Sequence, residues 1–150
     1  MSRVLYFAYG SNLDAEQLRA RCPSSSSRFA ARLRHHRLDF THYSTRWTGG
    51  AADVLPHSGE EVWGVVYELD EGDLTLLDRF ESGYERVTLS VEAEDGASHA
   101  VITYMVRQKR NFLPSDIYLD KILRWGERWE LPAEYLASLR QVRVQRARGR

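Results

Sequence analysis

The chain has 150 residues, of which 43% are hydrophobic and 28% are charged, and its formal net charge is zero. This length suits one domain with a sizeable buried core, and this composition excludes disorder over most of the chain. The neutral charge balance argues against a dedicated nucleic-acid-binding protein. The single cysteine, Cys22, excludes an intramolecular disulfide and favours a reducing compartment, so we expect a cytoplasmic protein.

Membrane and metal-binding classes are also disfavoured. No apolar stretch approaches the ~20 residues of a membrane span, and the first residues lack a basic segment followed by an apolar run and a cleavage site. We therefore expect neither export nor membrane insertion. The five histidines lack a ligand spacing such as HExxH, and one cysteine is too few for a typical zinc site, so no metal is expected.

The first half of the chain predicts one helix among several strands. Residues 4–9 are apolar and aromatic, as in a buried strand. Asp14 is placed to cap the following helix, with Gln17 as its capping-box partner, and Cys22-Pro23 ends that helix. Four further strands are predicted at residues 29–33, 37–43, 51–55 and 61–69, separated by turns that contain Gly49-Gly50 and Ser58-Gly59.

The second half predicts a hairpin between helices. Asp70 is placed to cap a short helix, and residues 84–93 then alternate between apolar and polar side chains, which is typical of a strand with one wet face. Asp95-Gly96 is a turn signal, and residues 99–106 form the second arm. Two helices follow, and Leu131-Pro132 separates them. Ser115 introduces the first helix, whose apolar stripe consists of Leu119, Ile122, Leu123 and Gly126.

Mostly consecutive strands with segregated helices predict an α+β fold, built on a small mixed, barrel-like sheet with flanking helices. Residues 1–139 are interpreted as this domain. Residues 140–150 contain five arginines and no acid, and residues 28–37 add four arginines and two histidines. Because no aromatic residue is interleaved in the tail to stack on bases, we interpret it as solvated and partly disordered and do not expect nucleic-acid binding.

The first strand runs directly into Gly10-Ser11-Asn12. Glycine adopts positive φ without steric cost and asparagine tolerates it, so the spacing predicts a sharp turn with converging N–H groups. The helix starting near Asp14 adds unpaired amides and a positive dipole end, which together suit a carboxylate or a developing oxyanion. A turn of this kind is more often structural, so spacing alone leaves its role open.

Residues 5–13, LYFAYGSNL, resemble the hallmark of the γ-glutamylcyclotransferase family. Further matches follow in the family's order: Arg37-Leu38-Asp39-Phe40, Trp47 with Gly49-Gly50, Glu61-Val62-Trp63-Gly64-Val65-Val66-Tyr67, Leu77-Asp78 before Glu81, Tyr104, Tyr118 and Leu131-Pro132. The resemblance implies a small mixed barrel and a cofactor-free cyclisation. A γ-glutamyl compound would be converted to 5-oxoproline with release of the attached amine, usually an amino acid.

The resemblance also implies the residues of the site. Glu81 corresponds to the family's catalytic carboxylate, which would act as general acid and base. The amides of Gly10, Ser11 and Asn12 are the expected donors to the substrate. Four tyrosines are expected to add phenolic hydrogen bonds, although each tyrosine by itself is more often a packing residue; they are Tyr6, Tyr9, Tyr104 and Tyr118.

Two alternatives remain open at this stage. The family commonly has a longer loop after its glutamate, whereas only Ser82-Gly83 separates Glu81 from Tyr84 here, so we expect an altered entrance and leaving group. The same fold cleaving a γ-glutamylamine or another γ-glutamyl-protected metabolite is one alternative. A noncatalytic module that binds a small ligand is the other. A homodimer is left open.

Overall fold

A computed structural model describes residues 2–148. Within this part of the chain, five strands close a barrel in the order β1-β3-β2-β4-β5. The strands are β1 Arg3–Ala8, β2 Ser26–Ser44, β3 Gly49–Asp70, β4 Tyr84–Ala93 and β5 Ser98–Val106. The barrel is mixed, because β1 pairs parallel to β5 while the other pairings are antiparallel. The predicted α+β fold with a small mixed barrel is confirmed.

Four α-helices flank the barrel within the described residues: α1 Ala15–Arg21, α2 Glu71–Asp78, α3 Asp116–Arg128 and α4 Ala133–Arg140. The stripe predicted on α3 is buried at Leu119 and Ile122, and it allows close packing at Gly126, where a Cβ would lie 2.6 Å from Leu136 Cδ2. None of the helices in residues 2–148 has the length and apolarity required to cross a membrane.

The four strands predicted between residues 29 and 69 are two long strands. β2 and β3 pair antiparallel from Ser26↔Glu68 to Ser44↔Gly49, with an irregularity between Arg34 and His36. His35 has φ 61° and Gly59 has φ 86°, so these residues take up a bulge without reversing the chain. The turn predicted at Ser58-Gly59 is therefore wrong. Gly49-Gly50 also does not form a turn but begins β3.

The hairpin of β4 and β5 is confirmed. Its register runs from Tyr84↔Val106 to Glu92↔Ser98, and Gly96 at the connection has φ 87°. Such a conformation favours glycine, so the predicted Asp95-Gly96 turn is present for the expected reason.

The predicted helix caps have different outcomes. Asp14 Oδ1 accepts hydrogen bonds from the amides of Glu16 and Gln17 at 2.9 and 3.0 Å, which confirms the cap of α1. The Gln17 side chain, however, does not complete a capping box, because it donates to Ser11 and Asn12 instead. Asp70 stands before α2 without a side-chain capping bond, since its carboxylate pairs with Arg3 at 2.9 Å.

Residues 141–148, which we call the C-terminal strap, are fastened to the domain. The Gln145 amide donates to Pro114 O at 3.0 Å, and the Ala147 amide donates to Asp116 Oδ1 at 3.0 Å. Gln145 Nε2 donates to Thr48 O at 2.7 Å. The disorder expected of the tail is thus wrong for these residues, because their backbone and side-chain groups find partners on the domain. Gly149 and Arg150 lie outside the described residues, and a self-sufficient domain at residues 1–139 stays a prediction.

Candidate active site

A cavity of about 490 Å³ lies between the turn after β1, the β2–β3 turn and the α2–β4 turn. Its lining includes every residue predicted for the site: Tyr6, Tyr9, Gly10, Ser11, Asn12, Glu81, Tyr104 and Tyr118. The structure therefore brings together residues that are up to 112 positions apart in the sequence, from Tyr6 to Tyr118. This cavity is the candidate active site.

The Gly10-Ser11-Asn12 turn forms one wall of the cavity. Residues Ser11–Leu13 form a single turn of 3₁₀ helix, closed by the Leu13 amide donating to Gly10 O at 3.0 Å. The first amides of such a turn have no acceptor inside it, which leaves them available to a ligand. The positive φ predicted here is wrong, since Gly10 has φ −115°. Space at Gly10 is tight, because a Cβ would lie 3.2 Å from Ala52 Cβ and 3.3 Å from the Tyr118 hydroxyl oxygen, so a side chain here would require these neighbours to shift by a few tenths of an ångström.

The side chain of Asn12 joins this turn to Glu81. Its Oδ1 accepts hydrogen bonds from Gln17 Nε2 at 3.0 Å and from Arg21 Nη1 at 3.1 Å. These two donors fix the orientation of the amide, so Nδ2 points the other way. It donates to the Tyr6 hydroxyl at 3.0 Å and to Glu81 Oε1 at 3.3 Å. Asn12 is buried, and it holds the carboxylate of Glu81 beside the turn.

Glu81 lies on the short connection between α2 and β4. The Glu81 amide donates to Asp78 O at 3.1 Å, and Glu81 O accepts from the Tyr84 amide at 3.0 Å. Burial of the carboxylate raises the pKa of Glu81 to about 7, with the negative charge of Asp78 acting in the same direction and the positive charge of Arg21 opposing it. Both protonation states are therefore accessible near neutral pH, as a residue that takes and returns a proton requires.

The four predicted tyrosines form much of the remaining wall, and each hydroxyl has a partner in the protein. Tyr9 donates to Tyr104 O at 2.6 Å, and Tyr104 donates to Asp78 Oδ1 at 2.6 Å. The Tyr118 hydroxyl accepts from the Ala52 amide at 2.8 Å, while that of Tyr6 accepts from Asn12. Burial raises the pKa of each of these tyrosines, so all four are neutral at physiological pH.

Sequence reasoning missed several residues of the cavity, notably Arg21, Arg46, Trp47 and Tyr84. Arg21 follows Gln17 by four positions on α1, so helical spacing was a signal that both side chains reach the same place. The Arg21 guanidinium carbon also lies 4.5 Å from the centre of the Phe80 ring. Trp47 was matched to the family pattern but was not assigned to the site, and Arg46 had no local signal. Both lie in a turn whose position depends on the pairing of β2 with β3.

The described residues offer little support for other chemistries. In residues 2–148, no group of three or more His, Cys, Asp or Glu side chains is arranged to hold a metal ion. Cys22 is buried, and its thiol donates to Asp73 O at 3.3 Å. Burial raises the pKa of Cys22 to about 12, so the thiol is not an activated nucleophile.

Known proteins provide an independent comparison. Residues 6–124 match the family described as γ-glutamyl cyclotransferase, AIG2-like. The γ-glutamylcyclotransferase of Mus musculus is 33% identical over 154 residues, which covers 97% of this chain and 82% of the relative. That of Homo sapiens is 34% identical over 146 residues, covering 92% and 78%. A solved structure named γ-glutamyl cyclotransferase superposes with a TM-score of 0.93 at 32% identity, covering 99% of this chain and 93% of the other. The chain therefore belongs to the γ-glutamyl cyclotransferase, AIG2-like family of enzymes.

Proposed function

We propose that this protein converts a γ-glutamyl amino acid to 5-oxoproline and a free amino acid, with Glu81 as general acid and base. The observation that carries this proposal is the juxtaposition in one cavity of the Glu81 carboxylate and the Gly10-Ser11-Asn12 turn, joined through Asn12 Nδ2 at 3.3 Å. A proton acceptor and a set of backbone donors are the two parts that an intramolecular acyl transfer needs.

The first step is removal of a proton from the α-ammonium group of the substrate. An α-amino group has a reference pKa of about 7.7–8.0, and burial places the pKa of Glu81 at about 7. The proton transfer from ammonium to carboxylate therefore spans about one pKa unit, which costs about 1.4 kcal/mol. A carboxylate of ordinary pKa would make this transfer much less favourable.

The second step is attack of the freed amine on the γ-carbonyl carbon. Both groups belong to the same molecule, so the task of the protein is to hold the glutamyl chain in the conformation that closes a five-membered ring. The amides of Gly10, Ser11 and Asn12 are the donors that we assign to the bound glutamyl group and its developing oxyanion.

The last step breaks the bond from the γ-carbon to the leaving nitrogen. Two protons leave the attacking nitrogen during the reaction, and two arrive on the departing nitrogen, which ends as an ammonium group. Glu81 carries these protons one at a time and is a carboxylate again when the products leave. The carbon of the γ-carbonyl keeps its oxidation state, so the reaction consumes no oxidant or reductant.

The test is to incubate the purified protein with γ-glutamyl amino acids and γ-glutamylamines and to measure 5-oxoproline. We expect Glu81→Gln to lower kcat by ~10²–10⁴-fold, the usual contribution of a general acid and base. Glu85→Gln is the matched control, because Glu85 is an exposed glutamate near Arg107 and does not line the cavity. Equal activity of the wild type and Glu81→Gln would disprove the mechanism.

The same panel separates the alternatives. A preference for γ-glutamylamines would change the proposed substrate class but not the proposed reaction. Binding without release of 5-oxoproline would indicate a noncatalytic module. A cytoplasmic location remains part of the proposal, as does the open question of a homodimer.

A further inference from the structure

The cavity carries an excess of positive charge. Besides Glu81, its charged lining residues are three arginines, Arg21, Arg46 and Arg79. Within residues 2–148, none of these three arginines forms a salt bridge with a carboxylate at up to 4.0 Å; every such pair involves a different arginine. A cavity with several cations and one carboxylate favours an anionic ligand.

Two of these arginines lie close enough to influence each other. Burial lowers the pKa of Arg21, and the positive charge of Arg46 lowers it further. Arg21 is the inner one, half-buried and held by Asn12 Oδ1 and the Phe80 ring. Arg46 is exposed, with its guanidinium carbon 5.5 Å from the centre of the Trp47 ring, so it stands at the mouth of the cavity. An anion between the two would relieve their repulsion.

The turn that carries Arg46 is held in place. The Trp47 amide donates to Ser44 Oγ at 3.2 Å, and the Trp47 ring packs against Tyr118 with centroids 5.4 Å apart. Thr48 has φ 53°, an uncommon conformation for threonine, and the C-terminal strap binds it through Gln145. These contacts keep the turn against the cavity before a ligand arrives, which lowers the entropic cost of using Arg46 for binding.

We propose that Arg46 binds the carboxylate of the leaving amino acid and thereby selects γ-glutamyl amino acids over γ-glutamylamines. This inference rests on the proposed function, which places the glutamyl half at Glu81 and the Gly10-Ser11-Asn12 turn, whose residues are buried or half-buried. The leaving group must then extend from the γ-carbonyl towards the exposed mouth, where Arg46 stands. A guanidinium group matches a carboxylate in geometry as well as in charge, and a γ-glutamylamine leaves it unpaired.

Two substrates that differ only by this carboxylate test the proposal: γ-glutamylalanine and γ-glutamylethylamine. We expect the wild type to favour γ-glutamylalanine by ~10- to 100-fold in kcat/KM, the range expected for a charge-assisted hydrogen bond. Arg46→Gln should lower kcat/KM for γ-glutamylalanine by a similar factor and change that for γ-glutamylethylamine by less than about threefold. Arg46→Lys should retain part of the preference, because it keeps the charge without the planar fork.

The control is Arg128→Gln. Arg128 also stacks on a tryptophan, with its guanidinium carbon 4.5 Å from the centre of the Trp125 ring, but it does not line the cavity. We expect this variant to keep the wild-type preference. If Arg46→Gln weakens both substrates equally, Arg46 binds the glutamyl half and the proposal is overturned. No effect on either substrate, or a wild type without preference, overturns it as well.

A binding measurement distinguishes failure of this inference from failure of the proposed function. Calorimetric titration of Glu81→Gln with γ-glutamylalanine and γ-glutamylethylamine should show the same preference, which should disappear in Glu81→Gln/Arg46→Gln. If the wild type produces no 5-oxoproline while this binding preference is present, the proposed function fails and the Arg46 site is retained. If the wild type is active and Glu81→Gln shows no binding preference, the Arg46 site fails alone.

Discussion

The inner wall and the mouth of the cavity are built differently. The inner wall consists of buried and half-buried groups that hold one another, as Asn12 does with Gln17, Tyr6 and Glu81. The mouth consists of exposed groups such as Arg46 and Phe80, which contact aromatic or cationic neighbours but leave charge facing the cavity. Side chains that hold one another in place before the substrate arrives suit chemistry that needs fixed geometry, whereas unpaired charge suits selection among ligands.

Among the predictions that test this comparison, we expect the largest effect from removing the hydrogen bond between Asn12 and Glu81 in the inner wall. We expect Asn12→Ala to lower kcat by ~10²-fold or more, because the Glu81 carboxylate loses the donor that orients it. A hydrogen bond to a carboxylate stabilises its charged form, so loss of the Asn12 donor should also move the acidic limb of the kcat/KM profile to higher pH. Steady-state kinetics from pH 5 to 9 measure both quantities.

Asn111→Ala, at an exposed asparagine outside the cavity, is the control for this prediction. Thermal unfolding of Asn12→Ala shows whether the buried network is also needed for folding. A folded Asn12→Ala variant with unchanged kcat and unchanged acidic limb would show that Asn12 packs against Glu81 without positioning it.

Most of the inner wall was predictable from the sequence, although Arg21 was missed, whereas Arg46 at the mouth was not predictable. Gly10-Ser11-Asn12 is contiguous, and family resemblance identified Glu81, so local pattern and motif order were sufficient there. Arg46 reaches the cavity only because β2 and β3 pair along their full length, a register that the sequence did not reveal. The same limitation explains why four short strands were predicted in place of two. A glycine such as Gly59 is equally compatible with a bulge inside a strand and with a turn between two strands.

The next effect concerns the stability cost of the inner wall. Burial raises the pKa of Glu81 in the folded protein to about 7, above its unfolded value, so ionisation disfavours the folded state. The stabilisation from the protonated form is complete below the unfolded pKa, near 4.3, and is lost as the pH rises through about 7. We therefore expect Glu81→Gln to be more stable than the wild type at pH 8, by about 1–2 kcal/mol after allowance for solvent in the cavity.

Urea unfolding at pH 8 and at pH 4 measures this difference, which should vanish at the lower pH. Glu85→Gln is again the control, because Glu85 is exposed and its substitution leaves the inner wall unchanged. A wild type that is equally stable or more stable than Glu81→Gln at pH 8 would show that the inner wall compensates the buried charge fully. The inner wall would then carry no stability cost to distinguish it from the mouth.

The smallest effect sharpens the comparison at the mouth. Gln145→Ala removes the 2.7 Å hydrogen bond from the C-terminal strap to Thr48 O, next to the turn that carries Arg46. Because one hydrogen bond contributes about 0.5–1.5 kcal/mol, we expect KM for γ-glutamylalanine to rise about 2- to 10-fold while kcat stays near the wild-type value. Gln141→Ala, at an exposed glutamine at the end of α4, should change neither quantity. A fall in kcat with unchanged KM would instead connect the strap to the inner wall, so the split between KM and kcat decides which region the strap supports.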